Sequence, residues 1–178
     1  RLERERLAAA ETDRLLRGGH VHVGGAHLRP LLGEQDRRLA AHAATPDPVI
    51  KAQLESKGTP FTVDDDGDYQ ITVRLEDDRT QLVWVRSVVE ETDHMKIREI
   101  WSPGYESETP AFPAAVANDL MERSNLLKLG SWVKQDKVAM LVTKIPADAS
   151  ADELDEAIDL TAMSADAAEL ELTGKDDL

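Results

Sequence analysis

Cysteine is absent from the 178 residues, and that absence removes disulfides, thiol nucleophiles and thiolate zinc sites together. It also makes an oxidising compartment unnecessary. Aromatic residues make up only 4%, so each tryptophan has to be weighed as core or as contact. No apolar run approaches the roughly 20 residues a helix needs to cross a bilayer. Arg1-Leu2-Glu3-Arg4 leads into no apolar stretch of the kind found in a signal peptide. These absences set the expectation of a cytoplasmic chain without membrane contact. Phosphate loops are missing as well: Gly18-Gly19 and Gly24-Gly25 match neither the dinucleotide fingerprint nor a P-loop.

Positive charge is the next scarcity. Lys and Arg total 21 against 35 Asp and Glu, a net charge of −14. Residues 1–43 hold eight basic and six acidic side chains, residues 44–147 twelve and eighteen, and residues 148–178 one and eleven. A surface this negative repels phosphate backbones, so the body is not expected to bind nucleic acid directly. A basic protein is the partner such a surface would steer. The plainer reading is that the acid keeps the chain in solution.

What is present divides into an arm, residues 1–45, and a body, residues 46–178. In the arm, residues 1–17 are good helix formers ended by Gly18-Gly19. A Gly/His-rich connector carries His20, His22 and His27, and a second helix follows Pro30. Thr45-Pro46-Asp47-Pro48 then breaks the chain, because each proline disfavours helix in the residue before it. The body opens with a helix over 48–57, stopped at Gly58. Phe61–Val63 and Tyr69–Val73 read as strands around the Asp64–Asp68 turn. Gln81–Arg86 and Lys96–Trp101 read as the next two, the latter ended by Ser102-Pro103-Gly104. Thr109 as N-cap and Pro110 at the first helical position start a middle helix that ends near Asn125. Leu129–Val133 and Val138–Val142 form a hairpin around Gln135-Asp136-Lys137. Ser150 and Glu153 spell a capping box for the last helix.

The expected class is α+β: an antiparallel sheet of about five strands with helices packed on one side. The order is α-β-β-β-α-β-β-α, with a further short strand before it and the helical arm in front. Three clusters in that setting carry a resemblance: Ile100-Trp101-Ser102-Pro103, Asn125 to Leu129 with Gly130-Ser131-Trp132, and Ala165-Asp166-Ala167-Ala168-Glu169. In this order, over residues 46–172, the chain resembles the YbjN-like family of bacterial proteins. The resemblance implies the fold of type III secretion chaperones, acidic homodimers that hold a partner segment in extended form. YbjN-like proteins are described as sensory-transduction regulators, and the resemblance brings no catalytic residues and no cofactor.

Chemistry finds little support in the residues. With Gly67 at the sixth position of a calcium loop, Thr62 and Val73 fall where ligands are needed, so the Asp64–Asp68 run reads as a turn and not a metal site. His20, His22 and His27 lack a nearby carboxylate before Glu34. Ser131 sits at a helix-to-strand step, not in a nucleophile elbow, and His94 stands in a hydrophilic loop without a partner set. No catalytic residue, metal or cofactor is assigned. The expected function is a non-catalytic module that captures a segment of another protein, by strand addition or in an apolar groove. Candidate contacts are the acidic Asp152, Glu153, Asp155 and Glu156 and the aromatic Trp84, Trp101 and Trp132. Leu154, Ile158, Ala162 and Ala165 form a packing face, against the sheet or across a dimer. The alternative gives the functional contact to the arm, residues 1–43, with the body as a dimerising platform.

Overall fold

Asp47 accepts a hydrogen bond from the Val49 amide at 2.8 Å and so opens α1, Pro48–Lys57, with proline in the first turn where no amide is needed. Gly58 closes it in the left-handed conformation. The computed structural model describes residues 45–178. The arm, its helices and its histidines lie outside the described residues.

After α1 come β1 (Thr62–Val63), β2 (Tyr69–Arg74), β3 (Thr80–Glu91), β4 (Lys96–Glu106), α2 (Ala114–Leu126), β5 (Ser131–Gln135), β6 (Val138–Pro146) and α3 (Ala151–Thr173). The strands form one six-stranded sheet in the order β1-β2-β3-β4-β6-β5, with every neighbour antiparallel. The class is α+β as expected. The sheet has six strands because Thr62 and Val63 pair with Gln70 and Tyr69, making the short extra strand part of it.

The helices cover one face. α3 lies across β3, β4 and β6, and α1 packs beside it. Ile50, Leu54, Tyr69, Ile71, Val83, Val85, Ile100, Leu154 and Ile158 meet in the core between them. Leu154, Ile158, Ala162 and Ala165 are all buried there, so the small residues of α3 serve close packing on the sheet. Gly104 shows how close that packing is: a methyl at its position would collide with the Trp132 ring. α2 rests on β5, with Arg123 reaching Glu171 of α3 at 2.5 Å.

Two boundaries differ from the sequence reading. β4 does not end at Ser102-Pro103-Gly104 but runs through it to Glu106. Proline cannot donate to a ladder, and side chains take over: Ser102 Oγ donates to the Leu82 carbonyl at 2.6 Å and Gln81 Nε2 to the Pro103 carbonyl at 2.6 Å. α2 begins at Ala114 and not at Thr109-Pro110, because Pro113 stands as its N-cap. Thr109 instead bonds the Ala111 carbonyl at 3.0 Å.

A β-bulge organises the centre. β3 and β4 pair at Trp84↔Trp101 and Val85↔Ile100, slip, and resume at Val89↔Arg98. Arg98, buried, donates to the Arg86 carbonyl at 2.8 Å and to Asp47 Oδ2 at 2.5 Å. Asp68 accepts the Ser87 amide at 2.7 Å. Removing one partner of a buried pair leaves the other charge uncompensated. Arg98→Ala is therefore expected to cost about 3–5 kcal/mol in urea unfolding, and Gly104→Ala about 1–3 kcal/mol from overpacking. Wild-type stability in either variant would contradict this account of the bulge or of the helix–sheet contact.

Candidate functional site

Strand alternation sends every second residue of β3 away from the helices. Gln81, Val83 and Val85 are buried under α3, whereas Leu82, Trp84 and Arg86 point to the opposite face. The register then places Trp84 opposite Trp101, with Trp101 opposite Val142 and Pro103 opposite Met140. Val133 pairs with Met140 on the edge strand. An apolar band thus crosses four strands on the face that the helices leave open. Within the band Met140 and Val142 are buried, Trp84 and Trp101 half-buried, and Val133 exposed.

The band lies in a cleft of about 270 Å³ lined by Asp64, Asp66, Asp68, Trp84, Arg86, Trp101, Gln135 and Met140. Trp84, Trp101 and Met140 supply apolar surface, and three carboxylates mark one end. Arg86 lies over the Trp101 ring, 5.0 Å from its centroid, and pairs with Asp68. A guanidinium on an aromatic face is a favourable contact, so the cleft already shows how it holds a cation. Trp101 is fixed from its other end, its indole N–H donating to Glu99 at 2.9 Å, and Lys144 pairs with Glu99 at 3.0 Å.

The carboxylates are not equivalent. Asp64 is turned inward, accepting the amides of Asp66 and Asp68 at 3.0 and 2.9 Å. That is the behaviour of a turn-forming aspartate. Burial pushes the Asp68 carboxyl above its ordinary range, against the Ser87 amide and the Arg86 charge, which pull it down. Asp66 stands exposed at the rim.

The other candidates fall elsewhere. Trp132 faces the helix side, against Gly104, so only two of the three tryptophans come together. Asp152, Glu153, Asp155 and Glu156 cluster in the first turns of α3. Lys57 pairs with Asp152 at 2.7 Å and with Asp155 at 3.2 Å, and Glu153 accepts the Ser150 amide at 2.7 Å to close the capping box. These contacts hold the Asp152 and Glu153 carboxyls below their ordinary range. Among the described residues, only Glu156 of the four has no such role. The acidic helix and the aromatic pair are therefore separate features. The sequence reading missed Arg86, Asp66 and Met140, although strand parity and the Asp64–Asp68 turn carried a signal for the first two.

A second acidic group, Asp166, Glu169 and Asp176, brings its oxygens within 4.8 Å of one another. The Arg79 guanidinium already supplies a cation there, 2.6 Å from Asp166 and 3.9 Å from both Glu169 and Asp176. Glu169 also accepts the amides of Asp177 and Leu178 at 2.7 and 3.1 Å, so this cluster pins the segment after α3 to the fold. His94 is exposed in the β3–β4 turn, where the Thr92 hydroxyl accepts its backbone amide.

No helix among the described residues is long and apolar enough to cross a membrane. No protein-family model matches the sequence, and no curated protein sequence matches it.

Burial raises the Glu169 carboxyl above its ordinary value, and the two amides and Arg79 offset that only in part. The folded state then holds the proton more tightly than the unfolded chain, so this group's contribution to stability falls as pH rises from about 4.3 through the raised folded value. Glu169→Gln removes that titration. The melting temperature at pH 7 minus that at pH 5 is expected to be more positive in the variant than in the wild type. An unchanged difference would show that Glu169 is not raised.

Proposed function

We propose that this chain is a non-catalytic binding module that captures an extended, basic segment of another protein on the open face of its sheet. The observation that carries the reading is the Trp84–Trp101 pair, half-buried on an uncovered face beside the exposed Asp66. Tryptophan supplies large contact area at little entropic cost. The Asp64–Asp68 rim supplies charge that attracts and orients a cationic segment. Arg86 over Trp101 shows, within the chain itself, the contact a partner's lysine or arginine would make on Trp84.

Strand addition is the less favoured route. β1 has only two residues, and on β5 the Trp132 amide already donates to Ser124 Oγ of α2 at 2.9 Å. Neither edge offers a long row of free backbone groups, so the cleft and not the edge is the docking surface in this reading. The resemblance to YbjN-like proteins points the same way, toward a homodimeric, chaperone-like adaptor or regulator that acts on a protein.

A 12-residue random peptide library displayed on phage and panned on the full chain tests the proposal. Enriched sequences are expected to place Lys or Arg next to an apolar residue and to elute with salt. Trp84→Ala and Asp66→Lys are each expected to abolish the enrichment while leaving the far-UV circular dichroism unchanged. Enrichment of acidic sequences, or identical selections on wild type and Trp84→Ala, would reject the reading.

A further inference from the structure

The far end of α3 gathers negative charge where a helix least favours it. The carbonyl end of a helix carries a partial negative charge, yet α3 has no basic residue in its last turn. Around this end Asp166, Glu169 and Asp176 hold oxygens within 4.8 Å of one another. Arg79 answers only part of the demand. Its Nε donates to Asp166 at 2.6 Å, but its Nη2 stands 3.9 Å from Glu169 and 3.9 Å from Asp176, beyond hydrogen-bonding distance. Glu169 is 1% exposed, and its Oε2 has no hydrogen-bond partner among the described residues. A buried carboxylate oxygen without a donor or a cation costs stability, so this atom calls for a further ligand.

We propose that Asp166, Glu169 and Asp176 bind a calcium ion that ties the segment after α3 to the start of β3. Each carboxylate is already oriented by donors on one oxygen: Arg79 on Asp166, the Asp177 and Leu178 amides on Glu169 Oε1, and the Thr80 amide on Asp176 Oδ1 at 3.2 Å. Carboxylates that ligate metals are commonly held in this way, and the second oxygen of each is left for the ion. Ligands that are all carboxylate oxygens suit a hard divalent cation. Oxygens at about 2.4 Å from calcium stand up to about 4.8 Å apart across the ion, which matches the reach of this cluster. Calcium also accepts the irregular coordination that results from Arg79 taking one side, whereas magnesium demands a closer, near-octahedral set. Asp176 is exposed, so the ion enters from solvent and waters complete its shell. The site shares no residue with the open-face cleft and does not depend on what docks there.

Thermal unfolding of the full chain at pH 7 tests this, in EDTA and in calcium chloride, with sodium chloride added to equal ionic strength. The Arg79 charge places the affinity at the weak end of calcium sites, about 10⁻⁴–10⁻³ M. Calcium at about 10 mM is then expected to raise the melting temperature by at least about 3 °C, and titration calorimetry to show one ion per chain. Magnesium at the same concentration is expected to give less than half that shift. Asp176→Asn and Glu169→Gln keep the oxygen that accepts backbone amides, and each is expected to cut the calcium shift at least threefold. Asp152→Asn with Asp155→Asn, in the other acidic group of α3, is expected to leave it unchanged. A shift no larger than that in sodium chloride would overturn the site and leave the Arg79–Glu169 gap to a bridging water. A shift retained in both Asp176→Asn and Glu169→Gln would overturn it as well. So would loss of the shift in the Asp152 and Asp155 variant, because calcium would then be screening the acidic helix as a whole. An equal shift in magnesium would overturn the assignment to calcium.

Discussion

A buried guanidinium governs the centre of this fold. Arg98 sits in the core face of β4 and would carry a prohibitive desolvation cost if left alone. Asp47, the cap of α1, supplies its counter-charge, and the Arg86 carbonyl accepts from it at the place where β3 and β4 slip register. The same bulge presents the Ser87 amide to Asp68 and the Ser87 hydroxyl to the Gly67 carbonyl at 2.6 Å. One ion pair therefore fixes the start of the body, the Asp64–Asp68 turn and the centre of the sheet relative to one another. Tyr69 reinforces it, its hydroxyl donating to the Asp47 carbonyl at 2.8 Å.

The candidate site follows from that arrangement. Because the bulge begins after Val85, Arg86 keeps the parity of Trp84 and emerges on the open face over Trp101. Asp68 is drawn to the same place by the Ser87 amide, so its carboxylate meets Arg86. The cation already over Trp101 and the half-buried Trp84 beside it are thus products of the core network.

Much of the fold was legible where the cause is local. The helix over 48–57, the glycine stop at Gly58, the aspartate turn and the Ser150/Glu153 capping box each need only a few neighbouring residues, and each stands where the sequence puts it. The errors lie where the cause is distant. Nothing near Pro103 reveals that Gln81 and Ser102 will replace its missing ladder bonds, and Pro113 overrode a sound capping signal at Thr109. The site was half legible for the same reason. Gln81–Arg86 reads as a nearly continuous apolar strand, and hydrophobicity alone would bury Trp84 and expose Gln81. Instead Gln81 is fully buried and Trp84 only half-buried, because Gln81 is needed inside to bond Ser102 and Pro103, and that requirement is set by another strand. The acidic helix drew attention by its charge, yet most of its first-turn carboxylates are committed to Lys57 and to the cap.

The central claim is that a partner segment docks on the open sheet face and not on the helical layer. Hydroxyl-radical footprinting of the full chain, with and without a library-selected peptide, tests it directly, because Met163 stands 58% exposed on α3 as an internal reference on the other side. The account predicts that the peptide protects Trp84 and Trp101 while oxidation of Met163 stays constant. Protection of Met163 with the two tryptophans unchanged would contradict it.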